Sequence, residues 1–180
     1  MAGIVRDIHA ELGANMGGVV PPTLFPFVGG KMLGFAQLRP VYRGSDAATG
    51  IAEMSFLAAA GGADEVLVAW ETQDIAVACE LRPLHPGPGV NLLWADPEGH
   101  LLRRMPYKER LLPGRTEDGL YRAAYDWLAE EPEVEDTELE PAIGTLVQFC
   151  WEPLDQDAPV SLKGAAELLR SMGYVVDLTA

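Results

Sequence analysis

The chain has 180 residues, of which 48% are hydrophobic and 22% are charged, so a disordered chain is excluded and a single globular domain is predicted over residues 1–180. Asp and Glu number 27 against 13 Lys and Arg, and the net charge of −14 disfavours direct binding to nucleic acid or to an anionic membrane. No export signal is visible and no apolar run approaches the roughly 20 residues of a membrane span, so we expect a cytoplasmic protein.

The first predicted element is a helix over residues 4–16. Ile4, Ile8 and Leu12 recur in it at helical spacing, which is typical of an amphipathic helix with one apolar stripe. Two consecutive glycines follow, and glycine is common just after a helix end. We therefore expect a first amphipathic helix whose apolar face is formed by these three side chains, with Val5 beside them.

An apolar, proline-rich arm is predicted over residues 19–30. Its three prolines exclude a regular helix, so the arm must be extended. The apolar side chains have two possible uses. Either the arm covers the domain's own core, or Leu24, Phe25 and Phe27 reach a neighbouring subunit and make the protein an oligomer.

A central antiparallel meander is predicted after a strand at residues 31–42 and an alanine-rich helix that Ser45 or Asp46 caps. The four strands of the meander are residues 65–71, 75–82, 90–95 and 100–107. The last two strands flank the sequence Asp-Pro-Glu-Gly at residues 96–99. Proline at the second position of that turn favours type I geometry, and we expect the glycine to adopt the left-handed conformation that closes the hairpin.

The C-terminal third is predicted to contain a helix over residues 117–130, capped by Thr116, and a last helix capped by Ser161. A final strand at residues 174–178 follows, whereas residues 143–151 fit neither a strand nor a helix cleanly. The whole pattern predicts an α+β fold, with an antiparallel sheet of about five strands and helices packed mainly on one face.

An acidic segment is predicted over residues 126–157. Residues 123–162 contain no Lys or Arg but eleven Asp or Glu, so most of the net charge lies there. A block of like charges is often a hydrated linker, but aromatic side chains flank this one, and aromatic anchors inside a charged rim are typical of protein interfaces. The candidate binding residues are Trp127, Glu130, Glu131, Glu133, Glu135, Asp136, Glu138, Glu140, Phe149 and Trp151.

Familiar catalytic motifs are missing from the sequence. It has no phosphate-binding loop, no dinucleotide-binding glycine pattern, no nucleophile elbow and no paired metal-ligand motif. The weak candidates for a metal or acid–base site are Glu80, His85, Asp96 and His100. Their spacing matches no metal motif, so we expect neither a bound metal nor a cofactor. Cys79 and Cys150 are expected to be reduced, buried thiols.

We therefore expect a non-catalytic acidic binding or adaptor protein, comparable to an immunity protein, a secretion chaperone or a phage assembly component. Such a protein would dock on a basic protein surface through its C-terminal third. Self-association is also open, since the basic residues at 103–115 can meet the acidic segment of another copy. Two alternatives remain: a small metal-dependent or hydrolase-like enzyme that uses the four candidate residues, and an inhibitor whose acidic face mimics nucleic acid.

Overall fold

The computed structural model describes residues 2–129, 131–152 and 160–179. Its helices there are α1 (Ala2–Met16), α2 (Ser45–Glu53), α3 (Ser55–Gly61), α4 (Thr72–Ala78), α5 (Pro141–Cys150) and α6 (Leu162–Ser171). Its strands there are β1 (Thr23–Val28), β2 (Lys31–Met32), β3 (Gly34–Gln37), β4 (Glu65–Glu71), β5 (Gly89–Ala95), β6 (His100–Arg115), β7 (Tyr121–Trp127), β8 (Val134–Glu135) and β9 (Val175–Leu178). These elements form an α+β fold built on an antiparallel sheet, which confirms the predicted class.

The strands form one sheet with the order β7-β6-β5-β4-β1-β3-β9, while β2 pairs with β1 and β8 pairs with β6. The pairs between described strands are antiparallel. Nine strands are present in the described residues, against the five or so that the sequence predicts. Two of the longer additional strands, β1 and β7, come from the segments predicted to be an arm and a helix.

The two faces of the sheet are covered differently. On the front face, α2, α3, α5 and α6 pack on strand residues that include Leu24, Val68 and Leu93 and enclose the larger core. On the back face, α1 encloses a smaller core with Leu92 and Tyr107. Most helices therefore lie on one face, as predicted.

The proline-rich segment is the central strand β1 rather than an arm. β1 pairs with β4 on one side and with β3 and β2 on the other. Pro26 is tolerated in this strand although it has no N–H to donate. Its carbonyl accepts a hydrogen bond from Leu33, which lies between β2 and β3, and an N–H of the same residue would face the same interruption in the pairing. Leu24 and Phe27 are buried and Phe25 is half-buried, so the segment fills the chain's own core.

The second strand of the predicted meander is the helix α4 instead. Its start is fixed by Glu71, whose carboxylate accepts a 2.7 Å hydrogen bond from the backbone N–H of Asp74. The β-branched residues Ile75 and Val77 favour a strand locally, but the side-chain cap satisfies a free N–H at the first turn and favours the helix. The meander therefore consists of β4, β5 and β6, with α4 between the first two.

The helix predicted over residues 117–130 is the strand β7. A hairpin turn precedes it, in which the Thr116 hydroxyl accepts a 3.0 Å hydrogen bond from the N–H of Leu120 and Gly119 has a φ of 78°. The chain then runs back along β6, and Ala123 is buried. The apolar spacing fits a helix, but the turn and the pairing with β6 impose a strand.

Helix α1 is present as predicted, but only part of its predicted apolar side, Val5 and Leu12, packs on the sheet. Ile4 and Ile8 are 59% and 45% exposed. The buried residues of α1 are Val5, His9 and Gly13. A Cβ at Gly13 would lie 2.4 Å from a tyrosine ring of β7, so only glycine permits this approach. The helix therefore meets the aromatic strands through His9 and Gly13 as well as Val5, and the apolar stripe indicates neither the histidine nor the glycine.

The Asp-Pro-Glu-Gly hairpin is confirmed. The N–H of Asp96 donates to the carbonyl of Gly99 at 3.0 Å, and the Asp96 carboxylate accepts hydrogen bonds from the N–H groups of Glu98 and Gly99. Gly99 does not adopt the predicted left-handed conformation. A Cβ at this position would lie 2.7 Å from the carboxylate of Asp136, so a larger residue would require that side chain to shift.

The elements after residue 140 agree with the sequence where it makes a prediction. Residues 143–151, which are ambiguous in sequence, belong almost entirely to α5, and Pro141 lies in its first turn. The Ser161 hydroxyl accepts a 3.1 Å hydrogen bond from the N–H of Gly164 and caps α6, and β9 follows. Within the described ranges, none of the helices has the length and apolar character needed to cross a membrane.

Candidate functional site

An open groove of about 800 Å³ lies on the front side, between α2, α3, α5 and α6. Short side chains line much of it, among them Ala48, Ala52 and Ala59. These alanines do not fill the space between neighbouring helices, which is why the groove exists. Phe149 and Met172 also line it and are 39% and 38% exposed. A groove of this volume is typical of a ligand-binding site.

The charged side chains among the described residues that line the groove are carboxylates. Glu53 accepts a hydrogen bond from the Tyr174 hydroxyl and lies 3.7 Å from the Arg39 guanidinium, so its charge is partly neutralised. Glu152 accepts a 3.1 Å hydrogen bond from Gln148 and is exposed. The groove therefore combines apolar walls with negative charge.

Cys79 also lines the groove, but its thiol is poorly suited to nucleophilic chemistry. Burial and, to a smaller extent, the charge of Asp74 raise its pKa. Burial likewise raises the pKa of Cys150 to about 12. Because the thiolate is the reactive form of cysteine, we expect both residues to be inert.

The acidic segment lies along the chain's own sheet, where β8 pairs with the start of β6. Glu131 and Glu133 form ion pairs with two consecutive arginines of β6. Asp136 accepts a 2.9 Å hydrogen bond from a backbone N–H of β6. Arg103 and Arg104 therefore pair with the acidic segment of their own chain. From the sequence alone, these two arginines could equally have paired with the acidic segment of another copy.

Part of the acidic segment remains available to a partner. Glu135 and Glu138 are exposed. Glu140, in contrast, is 3% exposed at the start of α5 and belongs to the front side of the core. Glu130 and residues 153–157 lie outside the described residues.

The three aromatic candidates are separated in space. Trp127 lies on the back face, where the guanidinium of Arg6 is 5.2 Å from the centre of its ring. Trp151 packs against the front core. Phe149 lines the groove. Of the three, Phe149 is therefore the one that offers an exposed anchor beside the groove carboxylates.

The four candidates for a metal or acid–base site contact different parts of the protein. Glu80 lies beside the start of α2, and Asp96 closes its own turn. A ring nitrogen of His100 is 2.9 Å from a backbone carbonyl of the acidic segment. Burial raises the pKa of Glu140 at the start of α5, and the nearby His85 side chain acts in the opposite direction. In the part of the chain that the structure describes, no three His, Cys, Asp or Glu side chains are placed to hold a metal ion.

The sequence pattern does not reveal a buried histidine between α1 and the back face. His9 is fully buried, and its Nδ1 accepts a 3.1 Å hydrogen bond from the N–H of Val20. Its ring centre lies 4.1 to 5.6 Å from the ring centres of Tyr107, Tyr125 and Trp127. Burial lowers the pKa of His9 to about 4. The side chain is therefore neutral at pH 7, with its proton on Nε2.

The groove is the arrangement best suited to binding. Its walls are apolar, an exposed aromatic side chain lies beside it, and its charged groups are carboxylates. Comparison with known proteins gives no match: no family model, curated protein or solved structure is significantly similar to this chain. The chemistry of the groove fits a guest that is apolar on one side and positively charged on the other.

Proposed function

We propose that the protein is a non-catalytic binding protein that holds an apolar, positively charged segment of a partner protein in the front groove. The observation that supports this best is the composition of the groove. Apolar side chains line most of it, and Glu53 and Glu152 supply its charge among the described residues. Amphipathic helices commonly dock in grooves of this kind through side chains spaced three and four residues apart.

Exposed apolar surface at the groove provides the driving force for docking. Phe149, Leu168 and Met172 line the groove and are 39%, 47% and 38% exposed. Removal of apolar surface from water contributes roughly 25 cal/mol for each Å². An aromatic or branched side chain of a partner that covers these three residues would therefore act as an anchor.

Negative charge selects the sign of the partner and speeds the encounter. The net charge of −14 attracts a basic protein over a distance of roughly 8–10 Å at ordinary salt. The exposed carboxylates of Glu135 and Glu138 extend this attraction beyond the groove. Such charges change the association rate more than they change the final affinity.

The test uses two helical peptides that differ only in charge, one built of Leu and Lys and the other of Leu and Glu. Isothermal titration calorimetry should detect binding of the Leu/Lys peptide and much weaker binding of the Leu/Glu peptide. Ala48→Trp, which places a large side chain in the groove, should abolish binding. Glu152→Lys should weaken it about tenfold or more, since it reverses a charge beside the guest.

The matched control is Glu117→Lys, which makes the same charge change in the exposed turn between β6 and β7. It should bind the Leu/Lys peptide almost as the wild type does. The proposal is wrong if both peptides bind equally, or if Ala48→Trp binds as tightly as Glu117→Lys. Circular dichroism of each variant establishes that the fold is intact.

A further inference from the structure

A second pocket, with a volume of about 430 Å³, lies between the segment before β1, the loop at residues 38–43, α2 and α4. Apart from three charged side chains, the described residues that line it are apolar. Its volume lies toward the small end of the range of roughly 300–1,000 Å³ that is typical of small-molecule sites. Among the described residues, this second pocket shares no lining residue with the front groove, so the two are separate.

Backbone hydrogen bonds at both ends fix the loop that forms one wall of the second pocket. The N–H of Leu38 donates to the carbonyl of Pro22 at 2.9 Å, before β1. The N–H of Gly44 donates to the carbonyl of Ala78 at 2.8 Å, at the end of α4. The loop is therefore tied to two of the elements that form the other walls, and the pocket is pre-formed, as ligand pockets usually are.

Two of the three charged side chains in the second pocket are unpaired. Arg39 donates to the Asp46 carboxylate at 2.7 Å, so its charge is neutralised within the chain. The side chains of Arg43 and Asp74, in contrast, form no hydrogen bond or ion pair within the ranges that the structure describes. Burial raises the pKa of Asp74, and a cation bound beside this carboxyl would stabilise its ionised form.

The two unpaired residues lie at opposite ends of the wall that α4 forms. Asp74, Val77 and Ala78 are spaced three and four residues apart, so they share one face of α4, and all three line the pocket. Arg43 directly precedes Gly44, whose N–H is bonded to the carbonyl of Ala78. Because a helix rises 1.5 Å per residue, the backbone of Arg43 meets this wall about 6 Å along α4 from Asp74. One pocket therefore presents a positive and a negative residue about one helical turn apart.

We propose that the second pocket binds a small apolar zwitterion, of which an apolar α-amino acid is the simplest member. The carboxylate of the ligand would accept hydrogen bonds from the Arg43 guanidinium, and its ammonium group would donate to the Asp74 carboxylate. A simple anion would meet the Asp74 carboxylate and a simple cation would meet Arg43, so each would gain one attraction and one repulsion. A zwitterion gains both attractions.

The remaining walls of the second pocket select an apolar side chain on the ligand. Tyr42 and Val77 line the pocket and are 85% and 52% exposed. The N–H of Tyr42 donates to the Asp46 carboxylate at 2.7 Å, which fixes the backbone at this point. A ligand side chain that covers these two residues removes apolar surface from water, which contributes roughly 25 cal/mol for each Å². A bulky apolar amino acid should therefore bind more tightly than glycine.

Isothermal titration calorimetry of the full chain with L-leucine, L-methionine and L-phenylalanine provides the test. At least one of the three should bind. Three comparison ligands each lack one feature of the amino acid that binds best: its amide lacks the carboxylate, its N-acetyl derivative lacks the ammonium group, and glycine lacks the apolar side chain. Each of them should bind about tenfold or more weakly, because each loses one charged hydrogen bond or the burial of one side chain.

Two variants separate the roles of the two charges. Arg43→Gln should weaken binding of the amino acid about tenfold or more and leave binding of the amide almost unchanged, since the amide has no carboxylate to lose. Asp74→Asn should likewise weaken binding of the amino acid but not of the N-acetyl derivative. The matched control is Arg82→Gln, which makes the same change at an exposed arginine that does not line the pocket and should bind as the wild type does.

The proposal is wrong if none of the three amino acids binds at millimolar concentration, or if the amide and the N-acetyl derivative bind as tightly as the parent amino acid. These comparisons use the wild-type protein, so they decide the question even if a variant fails to fold. The inference does not rest on the proposed function. Ala48→Trp, which fills the front groove, should leave amino-acid binding unchanged, so failure of one proposal is distinguishable from failure of the other.

Discussion

Acidification is expected to destabilise the contact between α1 and the back face through His9. Burial lowers the pKa of His9 from 6.5 to about 4, because a charged imidazole among the aromatic rings would lose its hydration. The unfolded chain therefore binds this proton at a higher pH than the folded chain does. The stabilisation is fully present above pH 6.5 and is lost as the pH falls to about 4. The loss over that window is about 3 kcal/mol.

The measurement compares urea unfolding of the wild type and His9→Gln between about pH 7 and pH 4. Glutamine retains an acceptor for the N–H of Val20 but does not titrate. The stability advantage of the wild type should shrink by about 3 kcal/mol across the window. Buried Glu71, whose pKa is raised by burial, acts in the opposite direction but titrates in both proteins and cancels. A difference that stays constant with pH would refute the argument for His9.

Gly13→Ala should lower the free energy of unfolding by about 1–3 kcal/mol, because the new Cβ would collide with a tyrosine ring of β7. The matched control Gly3→Ala adds a Cβ in open space on the same helix, and it should be neutral or stabilising. Equal urea midpoints for the two variants would contradict the packing of α1. Ser161→Ala should destabilise the protein by about 1 kcal/mol through loss of the α6 cap, and an unchanged thermal midpoint would count against that cap. Replacing the exposed Glu135 and Glu138 by Lys should slow association with the Leu/Lys peptide and leave stability unchanged; stopped-flow rates equal to those of the wild type would remove the acidic segment from the binding mechanism.

Elements that depend on neighbouring residues are predictable from the sequence. Ser161 is a hydroxyl cap followed by an apolar helical stripe, and α6 begins there. The turn at residues 96–99 is closed by hydrogen bonds among its own four residues. The antiparallel α+β class is predictable for the same reason, because hairpins and capped helices carry their signals within a few residues. The strand β9 pairs with the distant β3, and it is predictable only because a short apolar run follows the end of α6.

Two elements that depend on distant residues, α4 and β7, are mispredicted. Glu71 starts α4, but the same carboxylate accepts a 2.9 Å hydrogen bond from the N–H of Gly89, so its position depends on β5. The strand β7 is stabilised by pairing with β6 and by the approach of α1 at Gly13. Tertiary contacts of this kind override local preference.

The candidate site is largely beyond the reach of sequence reasoning. Phe149 is a predicted binding residue and lines the groove, but the rest of the groove comes from helices at opposite ends of the chain. The buried residues Trp70, Asn91 and Arg104 lie side by side on three strands only because of the register in which those strands pair. No local pattern encodes that register.

The position of β9 has a consequence for synthesis of the protein. β9 (Val175–Leu178) pairs with β3, a strand that leaves the ribosome long before it. Throughout that interval, β3 presents unpaired N–H and C=O groups, which are a template for pairing with other nascent chains. A polysome translating this message would hold many such open edges close together. A transcript that is truncated before β9 should therefore yield an aggregating product, even though most of the sheet is already encoded.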